Sequence, residues 1–186
     1  MRSDRTRWDA RYAEGDRRHD AGPSPLLLEW LPRWQAGRAL DVAAGLGRHA
    51  LLLARHGWSV DAIDISLEGL RVLSQRARDA AMRINLVLAD FDTFACRPAV
   101  YDLIVDTFFL DRRLIPRFWR WLRPGGVVFF ETHLTTPTPA DRSKYALQMH
   151  EARGLFARWD LLAYSEGPED DGARCIDTVR LVARRP

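Results

Sequence analysis

The sequence predicts an α/β protein: a doubly wound, mostly parallel seven-stranded sheet that closes on a C-terminal antiparallel hairpin. Three observations carry that expectation. Short apolar runs rich in β-branched residues alternate with helical patterns, the order in which βαβ units bury a parallel sheet on both faces. The run Ala39 to Ala43 passes through Gly45-Leu46-Gly47 straight into a helical stretch, a strand–glycine turn–helix junction. The chain has 186 residues, enough for one domain that buries about 70% of its unfolded surface. Residues 1–186 are therefore read as a single domain, with 1–23 as an N-terminal arm.

The arm, Arg7 to Pro23, sets Trp8, Tyr12 and His19 among charges. Ser24 as N-cap and Pro25 at the first helical position predict a helix through Leu31, shortened or kinked near Pro32. Ala39 to Ala43 is the first strand; His49 to His56 is the helix after the turn, closed by Gly57 at the left-handed position beyond a helix end. Trp58 to Asp64 is the second strand, and Ser66 caps a helix through Leu67, Leu70, Val72, Leu73 and Ala77. Ile84 to Ala89 and Tyr101 to Asp106 are strands three and four, separated by a loop or short helix around Pro98. A helix over roughly 113–122, with Pro116 in its first turn, leads to a tight turn at Arg123-Pro124-Gly125-Gly126 and strand five, Val127 to Glu131. Beyond a Thr/Pro-rich loop, Thr135 to Pro139, a helical stretch leads to Trp159–Tyr164 and Ile176–Val182, a hairpin across the acidic turn Pro168 to Gly172.

Cys96 and Cys175 lack any Cys-x-x-Cys spacing, so neither a disulfide framework nor a metal site is expected, and a reducing cytoplasm suits both thiols. The 28 Lys and Arg exceed the 25 Asp and Glu by a formal charge of +3, but the signs are interspersed and no nucleic-acid partner is expected. Lys144 is the only lysine, an arginine bias that says nothing about substrate. The first residues are polar, and no apolar run approaches the ~20 residues that span a bilayer. The expectation is a soluble cytoplasmic monomer or homodimer with no membrane partner.

A strand ending in Gly45-x-Gly47 and opening a helix presents backbone amides to a crevice that no Cβ obstructs. Asp64, at the end of the second strand, is placed to accept both hydroxyls of a ribose lying across that turn. Together they imply a nucleoside. Gly45-Leu46-Gly47-Arg48-His49-Ala50 also satisfies the dinucleotide pattern G-x-G-x-x-A, which leaves a nucleotide-dependent oxidoreductase open. Asp41 within the first strand, Asp90-Phe91 after the third and Pro124-Gly125-Gly126 before the fifth are not needed to hold a pyrophosphate. They turn the reading toward S-adenosylmethionine.

Leu40 to Arg48 resembles motif I of the class I S-adenosylmethionine-dependent methyltransferases, and the resemblance continues in order through Asp64, Asp90, Tyr101–Asp106 and Leu122–Gly126. Within that class, Phe108 to Leu114, Phe130-Glu131-Thr132 and the arm's Trp8-Asp9-Ala10-Arg11-Tyr12 are similar to small bacterial enzymes of the tellurite-resistance and thiopurine methyltransferase type. The resemblance implies a Rossmann-like methyltransferase fold. In it Gly45 and Gly47 pass under the methionine part of the cofactor, Asp64 and Ile65 hold the ribose, and Asp90 with Phe91 frames the adenine. Asp106 stands beside the sulfonium or the amino group. Asp41 and Ala43 belong to the same motif, Ala43 at a position where many members carry glycine.

The implied activity is methyl transfer to a small-molecule acceptor. No nucleophile–base pair is visible in the sequence, which favours a soft or already ionised acceptor such as a thiol or chalcogen species. His133, directly after strand five, is the candidate acid or base. Trp8, Tyr12 and His19 are candidates for a lid or a substrate contact; the plainer account is an arm packed on the sheet edge. Plainer accounts also exist for Asp64 (a helix cap), Asp90 (an ordinary turn), Phe91 (core filling) and Arg48 (a solvated side chain), while His49 and His56 are read as structural or exposed. Asp64→Ala is expected to weaken cofactor binding and to leave the fold intact. An RNA or protein methyltransferase and a non-catalytic cofactor-binding protein stay open beside the oxidoreductase. Asp106-Thr107-Phe108-Phe109 stands where an Asn-Pro-Pro-Tyr-like tetrapeptide would serve nucleobase amines.

Overall fold

The computed structural model describes residues 2–15, 22–135, 145–170 and 175–186, which fall into two compact units, Met1–Cys96 and Arg97–Pro186. The first unit contains α1 (Arg2–Ala13), α2 (Pro25–Trp30) with a 3₁₀ turn (Leu31–Arg33), β1 (Arg38–Val42), α3 (Arg48–Arg55), β2 (Ser59–Asp64), α4 (Leu67–Asp79) and β3 (Asn85–Leu88). Its strands are parallel in the order β3-β2-β1, with Asp41 opposite Ala62 and Asp64 opposite Leu88. β1 and β2 are buried except at their first residues, which is why their sequences show no polar alternation; β3 is half exposed along its length. α3 buries His49, Ala50, Leu52 and Leu53, and α4 buries Gly69, Leu70, Leu73 and Ala77, one face each at helical spacing.

Ser66 caps α4 as its sequence predicts, its hydroxyl accepting from the Gly69 amide at 3.1 Å. Ser24 occupies the N-cap position of α2, but its hydroxyl makes no capping bond. Its backbone amide instead donates to Nε2 of His49 at 3.2 Å. His49 is buried, and burial, helped by the neighbouring Arg48 charge, pulls its pKa down to about 3. It is a neutral, structural acceptor. The arm is helical over Arg2–Ala13, a helix without an apolar stripe.

The second unit contains β4 (Tyr101–Thr107), α5 (Ile115–Trp121), β5 (Leu122–Leu134), β6 (Ala146–Leu147), α6 (Glu151–Leu155), β7 (Asp160–Asp170) and β8 (Cys175–Arg184). Its strands run β4-β5-β8-β7, with β6 beside the end of β5. β4 and β6 are parallel to β5, whereas β8 is antiparallel to both β5 and β7. The described residues thus include eight strands of an α/β fold, parallel in the first unit and mixed in the second, which ends in a C-terminal antiparallel pair. β6 is the strand beyond the seven expected.

The tight turn expected at Arg123–Gly126 is instead part of β5. Gly125 adopts φ +80°, Arg185 exchanges backbone hydrogen bonds with Gly125 and Gly126 at 2.8 Å each, and the pairing with β4 shifts register nearby. A Cβ on Gly126 would stand 2.9 Å from the Arg123 carbonyl oxygen, so this irregularity requires glycine. The hairpin forms, but Pro168 to Asp170 of the expected acidic turn belong to β7, and 171–174 lie outside the described residues. Of the Thr/Pro-rich loop only Thr135 is described, and the helical stretch after it reduces to the short α6. Trp119 and Trp159 meet edge to face at 5.2 Å and Trp121 is buried, the packing roles expected of them.

Candidate cofactor-binding site

Beyond β1 the backbone enters the left-handed region three times, at Ala43 (φ +51°), Gly45 (φ +53°) and Gly47 (φ +84°), before α3 begins. Ala43 bears a Cβ in that conformation, at a cost of about 1–2 kcal/mol. The turn is tied to the sheet by the Ala44 amide, which donates to the Ile63 carbonyl at 2.9 Å.

Asp64 fastens the turn to α4. Its Oδ2 accepts from the Gly45 amide and its Oδ1 from the Ser66 amide, both at 2.7 Å. Burial raises the Asp64 pKa, against the amides of Ser66, Gly45 and Ile65, which favour the carboxylate. Each carboxylate oxygen keeps a second acceptor site, so this structural duty and a bond to ribose are compatible. Asp64→Ala would also take the acceptor from two buried amides, so a cost in stability accompanies the loss of binding.

Asp41 is buried within β1, with the Ala50 amide donating to it. Its Oδ2 has no hydrogen-bond partner among the described residues. Burial pushes its pKa up to about 7; Arg48 opposes that rise and Asp64 adds to it. A desolvated carboxylate oxygen without a donor is costly unless a ligand supplies one. The ammonium of an amino-acid moiety is a suitable donor.

The two glycines of the turn lack side chains for different reasons. A Cβ on Gly47 would lie 2.1 Å from Cδ1 of Leu73, so this glycine admits α4. A Cβ on Gly45 would lie 2.7 Å from the Tyr12 hydroxyl, and one on Gly69 would lie 3.0 Å from the Tyr12 ring. Gly45 and Gly69 together seat Tyr12. The rest of α1 is clasped onto the same loop: Arg5 Nε donates to the Ile65 carbonyl at 3.1 Å, and Asp9 Oδ1 accepts from the Ser66 hydroxyl at 2.6 Å and the Glu68 amide at 3.2 Å. Burial works to raise the Asp9 pKa, but the bonds from Ser66, Glu68 and Leu67 overcome it and hold the carboxyl below its ordinary value. Trp8 stacks on Tyr12 at 5.6 Å, with Arg11 4.6 Å from the Trp8 ring. Arg5, Asp9 and Gly69 were not singled out in the sequence; the Trp8–Tyr12 segment that carries Asp9 was the available signal. His19 lies outside the described residues.

Asp90 forms an Asx turn, its Oδ1 accepting from the Asp92 amide at 2.9 Å, and Phe91 is buried edge-on against Phe94 at 5.7 Å. Both plainer roles are present at these positions. In the second unit Asp106 is buried near the end of β4. His133, near the end of β5, lies 4.8 Å from the ring of Phe108, and burial lowers its pKa. Among the described residues no group of three or more His, Cys, Asp or Glu could hold a metal ion, and no helix is long and apolar enough to cross a membrane.

Residues 39–126 match the family described as a methyltransferase domain. Ribosomal RNA small subunit methyltransferase C of Alcanivorax borkumensis is 26% identical over 130 residues, 64% of this chain and 40% of that protein. Ubiquinone biosynthesis O-methyltransferase of Klebsiella pneumoniae is 28% identical over 119 residues, 59% of this chain and 49% of that one. The chain spans about half the length of such curated relatives or less. TehB from Haemophilus influenzae shares the fold, with a TM-score of 0.75 and 20% identity over 88% of this chain and 63% of that chain. The matched segment contains the glycine turn, Asp41, Asp64 and Asp106, and over it the chain is similar to methyltransferase domains.

Proposed function

We propose that this chain binds S-adenosylmethionine on the turn after β1 and transfers its methyl group to a small-molecule acceptor. The observation that carries the reading is Asp41: a buried carboxylate oxygen without a donor, beside a turn whose backbone is left-handed three times. Asp41 would hold the cofactor's ammonium, Gly45 and Gly47 would pass under its methionine part, and Asp64 with Ile65 would hold the ribose. Asp90 and Phe91 would frame the adenine, and Asp106 would stand toward the sulfonium. The bound cofactor supplies an electrophilic methyl group on sulfonium sulfur. The protein orients the acceptor and keeps water away. Tyr12 is seated on Gly45 and Gly69 with Trp8 stacked on it, so α1 would be the cover of this site.

The acceptor would be a soft or already ionised species such as a thiol or chalcogen, which needs no strong base. Calorimetric titration with S-adenosylhomocysteine and, separately, NADH tests the cofactor. Wild-type protein should bind S-adenosylhomocysteine alone, and Asp41→Asn should weaken it by about 10-fold or more through loss of a charged hydrogen bond of ~1.5–3 kcal/mol. Preference for NADH would overturn the reading, and an Asp41→Asn variant of unchanged affinity would remove Asp41 from it.

A further inference from the structure

A cavity of about 400 Å³ lies within the first unit, at the amino ends of β2 and β3, where α4 ends and its connection to β3 begins. Ser59 opens β2 and lines the cavity, whereas Asp64 closes the same strand at the glycine turn. At roughly 3.3 Å per strand residue the two ends stand about 17 Å apart, so the cavity is separate from the cofactor site. The connection along its wall is held in a costly conformation. α4 ends in a Schellman motif: the Met82 amide donates to the Ala77 carbonyl at 2.8 Å, and the Ala81 amide to the Arg78 carbonyl at 3.0 Å. Glycine commonly fills the left-handed position of that motif, but here Ala81 takes it, at φ +52° and with a Cβ. Such a conformation persists where the surroundings over-determine it, and it sets Met82, Arg83 and Ile84 along the cavity.

The lining divides into an apolar floor and a cationic mouth. Val60 and Ala77 are buried, and the half-buried Met82 and Leu86 complete the floor. Arg78 and Arg83 are exposed and stand at the mouth. Among the described residues no carboxylate lines the cavity, and the carboxylates nearby are engaged elsewhere. Asp61 accepts from the Asn85 side-chain amide at 2.7 Å and from Arg38 at 3.0 Å, and Asp79 accepts from Gln75 at 2.7 Å. Arg78 donates to the Ser74 hydroxyl at 2.9 Å and to the Gln75 carbonyl oxygen at 2.7 Å. Arg83 has no hydrogen bond or ion pair among the described residues. Its guanidinium is the charge at this mouth that no carboxylate of the unit balances.

We propose that this cavity is a second ligand site, for a small aromatic carboxylate whose ring lies on the floor and whose carboxylate meets Arg83. A guanidinium offers a carboxylate two parallel N–H bonds, and the thioether of Met82 makes favourable contact with a ring. The Ser74 hydroxyl accepts from Arg78 and keeps its own proton to donate, so it supplies a further bond to the head group. Sites for small ligands combine an apolar lining with a few placed polar groups and begin at about 300 Å³, a description this cavity meets. Because the cavity and the glycine turn stand at opposite ends of β2, the carboxylate and the cofactor bind together rather than in competition.

Titration of the full chain with 2-naphthoate, followed in proton–nitrogen-15 correlation spectra, tests the site. Wild type should saturate at millimolar concentration, with the shifted amides centred on Ser59, Ser74 to Arg78 and Met82 to Leu86. Saturating S-adenosylhomocysteine should leave that affinity unchanged. Arg83→Ala, a change at an exposed position, should keep the wild-type spectrum elsewhere and bind 2-naphthoate about 10-fold or more weakly, and Arg83→Lys should recover part of the loss. The uncharged 2-naphthamide should bind wild type about as weakly as 2-naphthoate binds Arg83→Ala, a control that needs no variant. No saturation by 2-naphthoate, its displacement by S-adenosylhomocysteine, or equal affinity in wild type and Arg83→Ala would each overturn the proposal. Inorganic phosphate binding as tightly as 2-naphthoate would reduce the cavity to a simple anion site and overturn the role of its floor.

Discussion

Asp64 holds two amides from different elements, and its removal sets two opposed effects against each other. Each charge-assisted bond from Gly45 and Ser66 contributes about 1.5–3 kcal/mol, while deleting a buried carboxylate relieves the desolvation that raises its pKa. The bonds prevail, because their loss also strands two buried donors. Asp64→Ala should therefore lower unfolding free energy by about 2 kcal/mol as well as weaken S-adenosylhomocysteine binding. Denaturant melts with and without ligand separate the two losses. A melt like that of wild type would mean the turn closes without Asp64.

At the scale of elements, α1 depends on bonds rather than on an apolar face. Asp9 places a carboxylate at the start of α4, where it completes the cap begun by Ser66 and faces the positive end of the helix. Asp9→Ala should cost about 1 kcal/mol and free α1 before the rest of the unit. Hydrogen exchange should show faster exchange confined to 2–15, and S-adenosylhomocysteine should slow exchange there in wild type if α1 covers the bound cofactor. Uniform loss of protection would give α1 no independence. The same bonds explain what sequence could and could not show. Ser66, Gly57 and the buried runs of β1 and β2 announce themselves by local chemistry, and so does the glycine turn with Asp64. The helix Arg2–Ala13 has no periodic stripe because its partners are Ile65, Ser66 and Gly69, far along the chain. β6 is two residues long, and its existence follows from pairing with His133 and Leu134. Arg123–Gly126 carries turn residues, yet Arg185 pairs with it and keeps it in the strand.

For the molecule as a whole, two buried groups of the first unit give stability opposite dependences on pH. Asp41 titrates near 7 in the folded chain, against about 3.9 when unfolded. Between those values the folded form holds a proton that the unfolded form has released, so stability falls as pH rises from about 4 to 7. His49 titrates near 3 when folded, against about 6.5 when unfolded. There the unfolded form binds the extra proton, so stability falls as pH drops from about 6.5 to 3. The windows overlap between about 4 and 6.5, where the two slopes offset each other. Asp41→Asn removes one of them and leaves every other titrating group in place. The difference in unfolding free energy between Asp41→Asn and wild type should therefore be smallest near pH 4 and grow by a few kcal/mol in favour of the variant up to pH 7, then level off. S-adenosylhomocysteine supplies the donor that Asp41 lacks, so its stabilisation of wild type should increase over the same window, whereas that of Asp41→Asn should not. Denaturant melts at pH 4, 5.5, 7 and 8, with and without ligand, measure both trends. Parallel profiles for the two proteins would show that Asp41 is charged at low pH, and would remove both the burial penalty and its relief by the cofactor.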